Sequence, residues 1–121
     1  MKICILYGGN SKEREVSISS GLSILNALKY DKRVFGYDFD GNYKTLLDAI
    51  YGVDLVFNAL HGGDGENGTM QNFLSDNNIK YTGSNAASSK NAMDKHIAKT
   101  LCLDNKILTP NWLFYKKNIG L

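Results

Sequence analysis

Two glycine-rich segments hold most of the side chains that could do chemistry in this chain. Residues 8–17 carry a carboxylate at Glu13, and residues 61–68 begin with His61. A carboxylate can hold a cationic group, because it accepts hydrogen bonds and also neutralises the charge. A histidine titrates near neutral pH, and the glycines that follow His61 would let a ligand come close. Glu13 and His61 are therefore the first candidates for a binding site.

Each candidate also has an explanation that needs no ligand. Glu13 stands at the predicted start of a helix, where acidic side chains stabilise the helix dipole by about 0.3–1 kcal/mol. From spacing alone this is the better explanation of Glu13, whereas a structural role and a ligand-binding role explain His61 equally well. Lys95 follows Asp94 near another predicted helix start, a place that favours anions, but a solvated surface lysine is the simpler interpretation.

Residues 63–68 also match the G-x-G-x-x-G pattern of dinucleotide-binding loops, between a predicted strand and a predicted helix. Two features count against this interpretation. The segment follows the third predicted strand rather than the first, and Asp64 and Glu66 lie where a pyrophosphate would approach. Two carboxylates there would repel the ligand unless a metal ion intervened. A dinucleotide-binding domain is therefore the less favoured alternative.

Short apolar runs alternate along the chain with helix-forming segments. Strands are predicted at residues 3–7, 33–39, 53–60 and 79–82. A first helix is predicted from the spacing of Ile18, Leu22, Leu25 and Leu28, with Ser11 or Ser17 as its cap. Further helices are predicted at residues 45–50, 70–74 and 85–103. The last of these is either one helix or two helices broken near Asp94. This order predicts an α/β fold, an open and mainly parallel sheet with helices on both faces. Because loops beyond the carboxyl ends of such strands form the binding crevice, the two glycine-rich segments should meet there.

Composition excludes several classes of protein. The net charge of +2 comes from 14 basic and 12 acidic residues interspersed along the chain, unlike the clustered Lys and Arg of a nucleic-acid-binding protein. Cys4 and Cys102 are far apart and form no Cys-x-x-Cys pattern, which indicates reduced thiols rather than a zinc site or a disulfide. The apolar N-terminal run is too short for a signal peptide, and no run of about 20 apolar residues could cross a membrane. We expect a cytoplasmic protein without nucleic-acid or membrane partners.

Taken in order, the motifs resemble those of the D-alanine–D-alanine ligases, from Lys2 to about Pro110. The matching segments are residues 8–17, residues 60–69 with Gln71, residues 81–84, Ser88, and residues 93–95 with Lys99. Departures are small: Asn67 stands where the family usually has aspartate, and residues 104–106 replace a glycine-containing turn. One such motif could arise by chance, but several in the same order are specific to the family.

The resemblance implies an ATP-grasp ligase, with this chain as the Rossmann-like domain that precedes the ATP-grasp portion. In that family ATP phosphorylates one D-alanine, a second D-alanine attacks the acyl phosphate, and the dipeptide serves peptidoglycan synthesis, with ADP and phosphate released. Matching positions imply that Glu13 holds the ammonium of the first D-alanine, that Val16 contacts its methyl group, and that His61 lines the same pocket. Lys95 matches a lysine that reaches the ATP phosphates. The magnesium ligands lie outside this chain, and the family's ligases are commonly homodimers.

The resemblance also divides the chain. Residues 1–108 would form the N-terminal substrate-binding domain, and residues 109–121 would begin the ATP-grasp domain, with a strand at residues 112–115. The expected protein is part of a longer ligase, and the alternatives are a naturally short, non-catalytic binding module of the same fold or the unrelated dinucleotide-binding domain. The isolated chain is expected neither to hydrolyse ATP nor to make dipeptide, and phosphate release that depends on ATP and D-alanine would contradict this expectation.

Overall fold

The computed structural model describes residues 1–117, in which strands and helices alternate. The strands are β1 (Ile3–Gly8), β2 (Val34–Phe39), β3 (Leu55–Asn58) and β4 (Lys80–Tyr81). The helices are α1 (Arg14–Ala27), α2 (Tyr43–Ala49), α3 (Thr69–Asp76), α4 (Ala86–Met93) and α5 (Lys95–Asp104). The predicted α/β fold is confirmed.

The four strands form one parallel sheet in the order β2-β1-β3-β4. Ile3 pairs with Val34 on one side and with Leu55 on the other, and Val56 pairs with Tyr81 at the far edge. The chain therefore moves outward from β1 to β2 in one direction, and from β3 to β4 in the other. The chain reverses its direction of growth between the paired strands β1 and β3, which makes this position a topological switch point. In open α/β sheets, ligands bind at such a point, beyond the carboxyl ends of the strands.

Most of the core lies on one face of the sheet, under α2 and α3. Side chains of β1 and β3 that point to this face, such as Leu6 and Val56, pack with Leu46 of α2 and Leu74 of α3, and all four are fully buried. Burying a leucine or valine side chain contributes roughly 1.5–3 kcal/mol. This face is therefore the main source of the fold's stability.

Helix α1 covers the other face, and the predicted apolar stripe packs there only in part: Ile18 and Leu25 are half-buried, with Leu25 against Gly36 of β2, whereas Leu22 and Leu28 are exposed. The helix itself is confirmed, whereas its fully buried residues are Ser17 and Gly21, and Leu22 of the predicted apolar stripe is 53% exposed. Gly21 lies directly over the ring of Tyr7, where a Cβ atom at position 21 would come within 2.4 Å of the tyrosine Cγ. The helix therefore approaches the sheet through small residues, because the Tyr7 ring fills the space that a leucine would need.

The C-terminal part follows one prediction and contradicts another. The helical segment is two helices, and the break is at Asp94, whose extended backbone ends α4 and whose carboxylate caps α5 by accepting from the Ile97 N–H at 3.0 Å. The predicted strand at residues 112–115 is wrong, since residues 111–117 form neither helix nor strand. Trp112 instead donates its indole N–H to Nδ1 of His96 on α5 at 3.0 Å, and no strand of the described chain pairs with it. The rest of the predicted second domain, residues 118–121, lies outside the described residues.

Cys4 and Cys102 are free thiols, and burial raises the pKa of Cys4 to about 12, which makes this thiol unreactive at neutral pH. Within residues 1–117, no helix is long and apolar enough to cross a membrane. In the same part of the chain, no three His, Cys, Asp or Glu side chains lie together in a way that could hold a metal ion.

Candidate functional site

The two glycine-rich segments meet at the switch point, as the fold argument predicted. Residues 8–17 leave β1 and residues 61–68 follow β3, and both strands end at the same edge of the sheet. Ser11 makes the contact between them, because its hydroxyl donates to the His61 carbonyl at 2.6 Å. The same hydroxyl accepts from the Glu13 N–H at 3.1 Å. One side chain therefore joins the main chains of both predicted binding residues.

Ser17 makes a second link between the segments. It is fully buried in α1, accepts from the Gly8 N–H at 2.9 Å and donates to the Ala59 carbonyl at 2.7 Å. Ser17 was one of two predicted helix caps, and this prediction is wrong because Ser17 lies inside the helix and its hydroxyl bridges to other elements. Ser11 does not cap the helix either, since the residue at the cap position is Glu13 and no side chain caps the first turn.

Glu13 stands at the start of α1 with its carboxylate against the second segment. Gly62 has a φ of +67°, and a Cβ atom at this position would come within 2.5 Å of Glu13 Oε2. Position 62 therefore requires glycine for its backbone conformation and for the close approach of the carboxylate. Within residues 1–117, Glu13 forms no ion pair, so its negative charge is available to a cationic ligand.

His61 and Val16 lie along the same side of α1 as Glu13. The His61 ring is half-buried, and its Nε2 is 3.1 Å from the hydroxyl of Ser20. Ser20 is seven residues after Glu13, about two helical turns or ~10 Å along the axis. Val16 lies between them in sequence and is 51% exposed. The structure thus brings together a free carboxylate, an exposed apolar side chain and an imidazole, which are three of the four predicted residues.

Lys95, the fourth predicted residue, does not join this group. It is the exposed first residue of α5, a helix that packs against α4 rather than against the sheet. Its ammonium forms no hydrogen bond or ion pair with another described residue, and Asp94 occupies the cap position beside it. Lys95 is therefore a free cation at a helix start, separate from the contacts that hold Glu13 and His61.

The carboxylates of the second segment stabilise the loop itself. Glu66 accepts from the Gly62 N–H at 2.9 Å, and Asp64 accepts from the Tyr43 hydroxyl at 2.9 Å. Burial and the bond to Asp64 both raise the pKa of Tyr43, so this hydroxyl stays protonated as a donor. Both carboxylates thus stay within the loop, where their charges would repel a pyrophosphate. This arrangement does not favour the dinucleotide-binding alternative.

Side-chain amides hold the far end of the same loop. Asn58 and Gln71 both donate to the Gly65 carbonyl, at 2.9 Å and 2.8 Å. Gln71 is only 5% exposed, and its Oε1 is buried without a hydrogen-bond partner among the described residues. The resemblance included Gln71 in its motif, whereas nothing in the sequence predicted that Asn58 binds the loop.

Arg14 is a site residue that sequence reasoning missed. Its guanidinium donates to the carbonyls of Gly9 at 2.9 Å and Phe39 at 3.1 Å, and it pairs with Asp38 at 2.8 Å. Arg14 thereby ties the start of α1 to the ends of β1 and β2, and places Glu13 next to it. No sequence pattern relates Arg14 to Asp38, which is 24 residues away.

Two clefts adjoin the loop. The first, about 10 Å³ between residues 9–11 and residues 60–65, has room for roughly one water molecule. The second, about 420 Å³, lies between the loop, the end of β3 and α4. Its polar lining is Asn58, Glu66, Gln71, Thr82, Ser84, Ser88 and Ser89. The second cleft thus gathers residues from the later matching motifs next to the loop that carries His61.

Comparisons with known proteins agree with this architecture. The family model for the D-ala D-ala ligase N-terminus matches residues 2–51 and 44–84. D-alanine–D-alanine ligase B of Clostridium perfringens is 40% identical over 116 residues, which are 96% of this chain and 38% of that protein. A ligase from Pediococcus pentosaceus is 38% identical and is covered over 48% of its length. The chain therefore spans between about a third and a half of the curated relatives it matches.

Solved structures give the same result. The D-alanine–D-alanine ligase from Bacillus anthracis complexed with ATP has a TM-score of 0.87 and 34% identity, with 100% of this chain and 40% of that chain covered. D-alanyl-alanine synthetase A from Vibrio cholerae, at 22% identity and a TM-score of 0.80, shares the fold over 98% of this chain and 41% of its own. With the motifs and the sheet order, these matches show that the chain belongs to the family of D-alanine–D-alanine ligase N-terminal domains.

Proposed function

We propose that this chain is the domain that binds the first D-alanine in an ATP-dependent D-alanine–D-alanine ligase, which makes the dipeptide for peptidoglycan synthesis. The observation that carries the proposal is that Glu13 and Val16 at the start of α1 and His61 beside this helix form a row at the switch point. Membership of the family supports the reaction, and the free carboxylate supports the substrate class. The ligase would act in the cytoplasm, where ATP is available.

Each residue of the row suits one part of an alanine molecule. The Glu13 carboxylate would accept hydrogen bonds from the ammonium and neutralise it. Val16, which is 51% exposed, offers an apolar surface to the methyl group. His61 would line the pocket beyond the methyl and limit which enantiomer fits. These contacts would bind and orient the substrate, and orientation is a large part of catalysis when two substrates must react.

The nucleotide belongs to the proposal for the whole ligase. The ligase from Bacillus anthracis is described as complexed with ATP, which supports ATP as the co-substrate here. ATP supplies the phosphoryl group that activates the D-alanine carboxylate. Lys95 suits a nucleotide phosphate, because its ammonium is exposed and unpaired among the described residues and is a point charge on a flexible side chain.

In the proposed ligase the magnesium ligands would lie outside this chain, as the family resemblance implies. The proposed domain boundary is at about residue 108. Residues 109–121 would lead into the ATP-grasp portion, although residues 118–121 lie outside the described part of the chain.

The proposal is tested by titrating the chain with D-alanine and following its histidines by proton NMR. The chain has two histidines, so the ring signals of His61 and His96 can be assigned by substitution. We expect D-alanine to shift His61 and not His96, and to do so more strongly than L-alanine. Glu13→Gln should weaken binding at least about tenfold, because it removes a charge-assisted hydrogen bond. Glu15→Gln is the matched control, since Glu15 is exposed on the same first turn.

Two results would refute the proposal. The first is a His61 signal that does not change at any D-alanine concentration up to the solubility limit of the amino acid. The second is equal affinity for D-alanine in the Glu13→Gln and Glu15→Gln variants.

A further inference from the structure

Two serines hold His61 from opposite ends of the residue. Ser11 donates to its carbonyl at 2.6 Å, and the Ser20 hydroxyl lies 3.1 Å from its Nε2. The serines are 50 and 41 residues away from His61 in sequence. Ser11 precedes α1 and Ser20 lies within it, so both contacts connect His61 to the helix that begins next to Glu13.

The two serine contacts restrict different parts of His61. The bond from Ser11 fixes the main chain of His61, at a point where Gly62 and Gly63 have positive φ angles of +67° and +47°. With the main chain fixed, the imidazole can still rotate about its side-chain bonds. Among the described residues, Ser20 is the side-chain partner of the ring, which it contacts at Nε2. A serine hydroxyl can donate or accept, so it can hold either tautomer of the imidazole.

We propose that Ser20 is a positioning residue that fixes the imidazole of His61 beside α1, the helix that begins next to Glu13. Ser20 acts through His61 and not by contact with the substrate. The effect on D-alanine affinity rests on the proposed function, whereas the effect on the ring itself does not. Ser20 would thereby orient the imidazole from within α1, at a position about two turns from the Glu13 carboxylate.

The ring is tested first, in the absence of ligand. ¹³C relaxation of the His61 ring Cε1–H group gives an order parameter, and in the wild-type chain we expect a value close to that of rigid backbone, about 0.85. Ser20→Ala should lower it to about 0.6 or below, whereas Ser20→Thr, which keeps a hydroxyl, should restore most of the order. Ser19→Ala is the matched control, because Ser19 is exposed on the same turn of α1.

D-alanine affinity is tested second, by amide chemical shifts of the ¹⁵N-labelled chain. Ser20→Ala should weaken binding about three- to tenfold, as expected for the loss of one hydrogen bond. In a His61→Ala background the same substitution should change affinity less than about twofold, since the ring on which Ser20 acts is gone. A general structural role would instead weaken binding equally in both backgrounds.

The outcomes separate this inference from the proposed function. An unchanged His61 order parameter in Ser20→Ala would overturn the positioning role, even if D-alanine binds normally. A loosened ring in a chain that does not bind D-alanine would support the positioning role and refute the proposed function. Equal losses of affinity in the wild-type and His61→Ala backgrounds would also overturn the positioning role.

Discussion

The sheet region, residues 1–84, and the helical region, residues 85–117, are built differently. Every fully buried apolar side chain of the described chain lies between Cys4 and Leu74. In the helical region Ser89 is the buried residue, while Ile97, Leu101 and Leu103 are between 37% and 57% exposed. The sheet region therefore has a core of its own, and α4 and α5 contribute little to it.

This difference explains how the predicted site residues are arranged. Glu13, Val16 and His61 lie on the sheet region, where buried or half-buried serines link α1 to the segment after β3. Lys95 lies on α5, which packs on α4. The proposed D-alanine contacts are therefore positioned by the region that holds the core, whereas the position of Lys95 depends on the packing of two exposed helices.

The largest expected effect compares one leucine from each region. Leu74→Ala should lower the free energy of unfolding by about 2–5 kcal/mol, because the fully buried side chain leaves a cavity under the sheet. Leu101→Ala, also in a helix but 43% exposed, should cost less than about 1 kcal/mol. Urea unfolding followed by circular dichroism measures both. Similar losses for the two variants would show that the helical region shares the core.

A smaller effect tests the serine that links the two segments within the sheet region. Ser17→Ala should cost about 1–3 kcal/mol of unfolding free energy, because the buried Gly8 N–H and Ala59 carbonyl lose their partner. Ser23→Ala is the control, since Ser23 is exposed on the same helix and its loss should change stability by no more than about 0.5 kcal/mol. If both serine variants unfold at the same urea concentration, the Ser17 link is not a source of stability.

Local patterns predicted the order of elements well. Apolar runs identified the strands, and the helix predicted at residues 45–50 is present as α2, with Asn42 as its cap, accepting from the N–H groups of Lys44 and Thr45 at 3.0 Å and 3.2 Å. Because this cap lies before Tyr43, the helix begins two residues earlier than predicted. The meeting of the two glycine-rich segments was also predictable, since parallel strands end at the same edge.

Other features depend on contacts that no local pattern contains. The fully buried part of α1 is set by the Tyr7 ring against which Gly21 lies, so apolar periodicity identified only the half-buried Ile18 and Leu25 of that face. The bonds from Ser17 to Ala59 and from Arg14 to Asp38 span 42 and 24 residues. The strand predicted at residues 112–115 failed for a related reason, because a strand needs a neighbour and β propensity does not supply one.

The most direct test of the central claim is turnover by a chimaeric ligase. Residues 1–108 of this chain would replace the corresponding part of the Clostridium perfringens ligase B, and ATP- and D-alanine-dependent phosphate release would be measured. We predict dipeptide synthesis, with kcat/KM for D-alanine at least about tenfold lower after Glu13→Gln and nearly unchanged after Glu15→Gln. A folded chimaera that makes no dipeptide, or one whose kcat/KM does not depend on Glu13, would contradict the account.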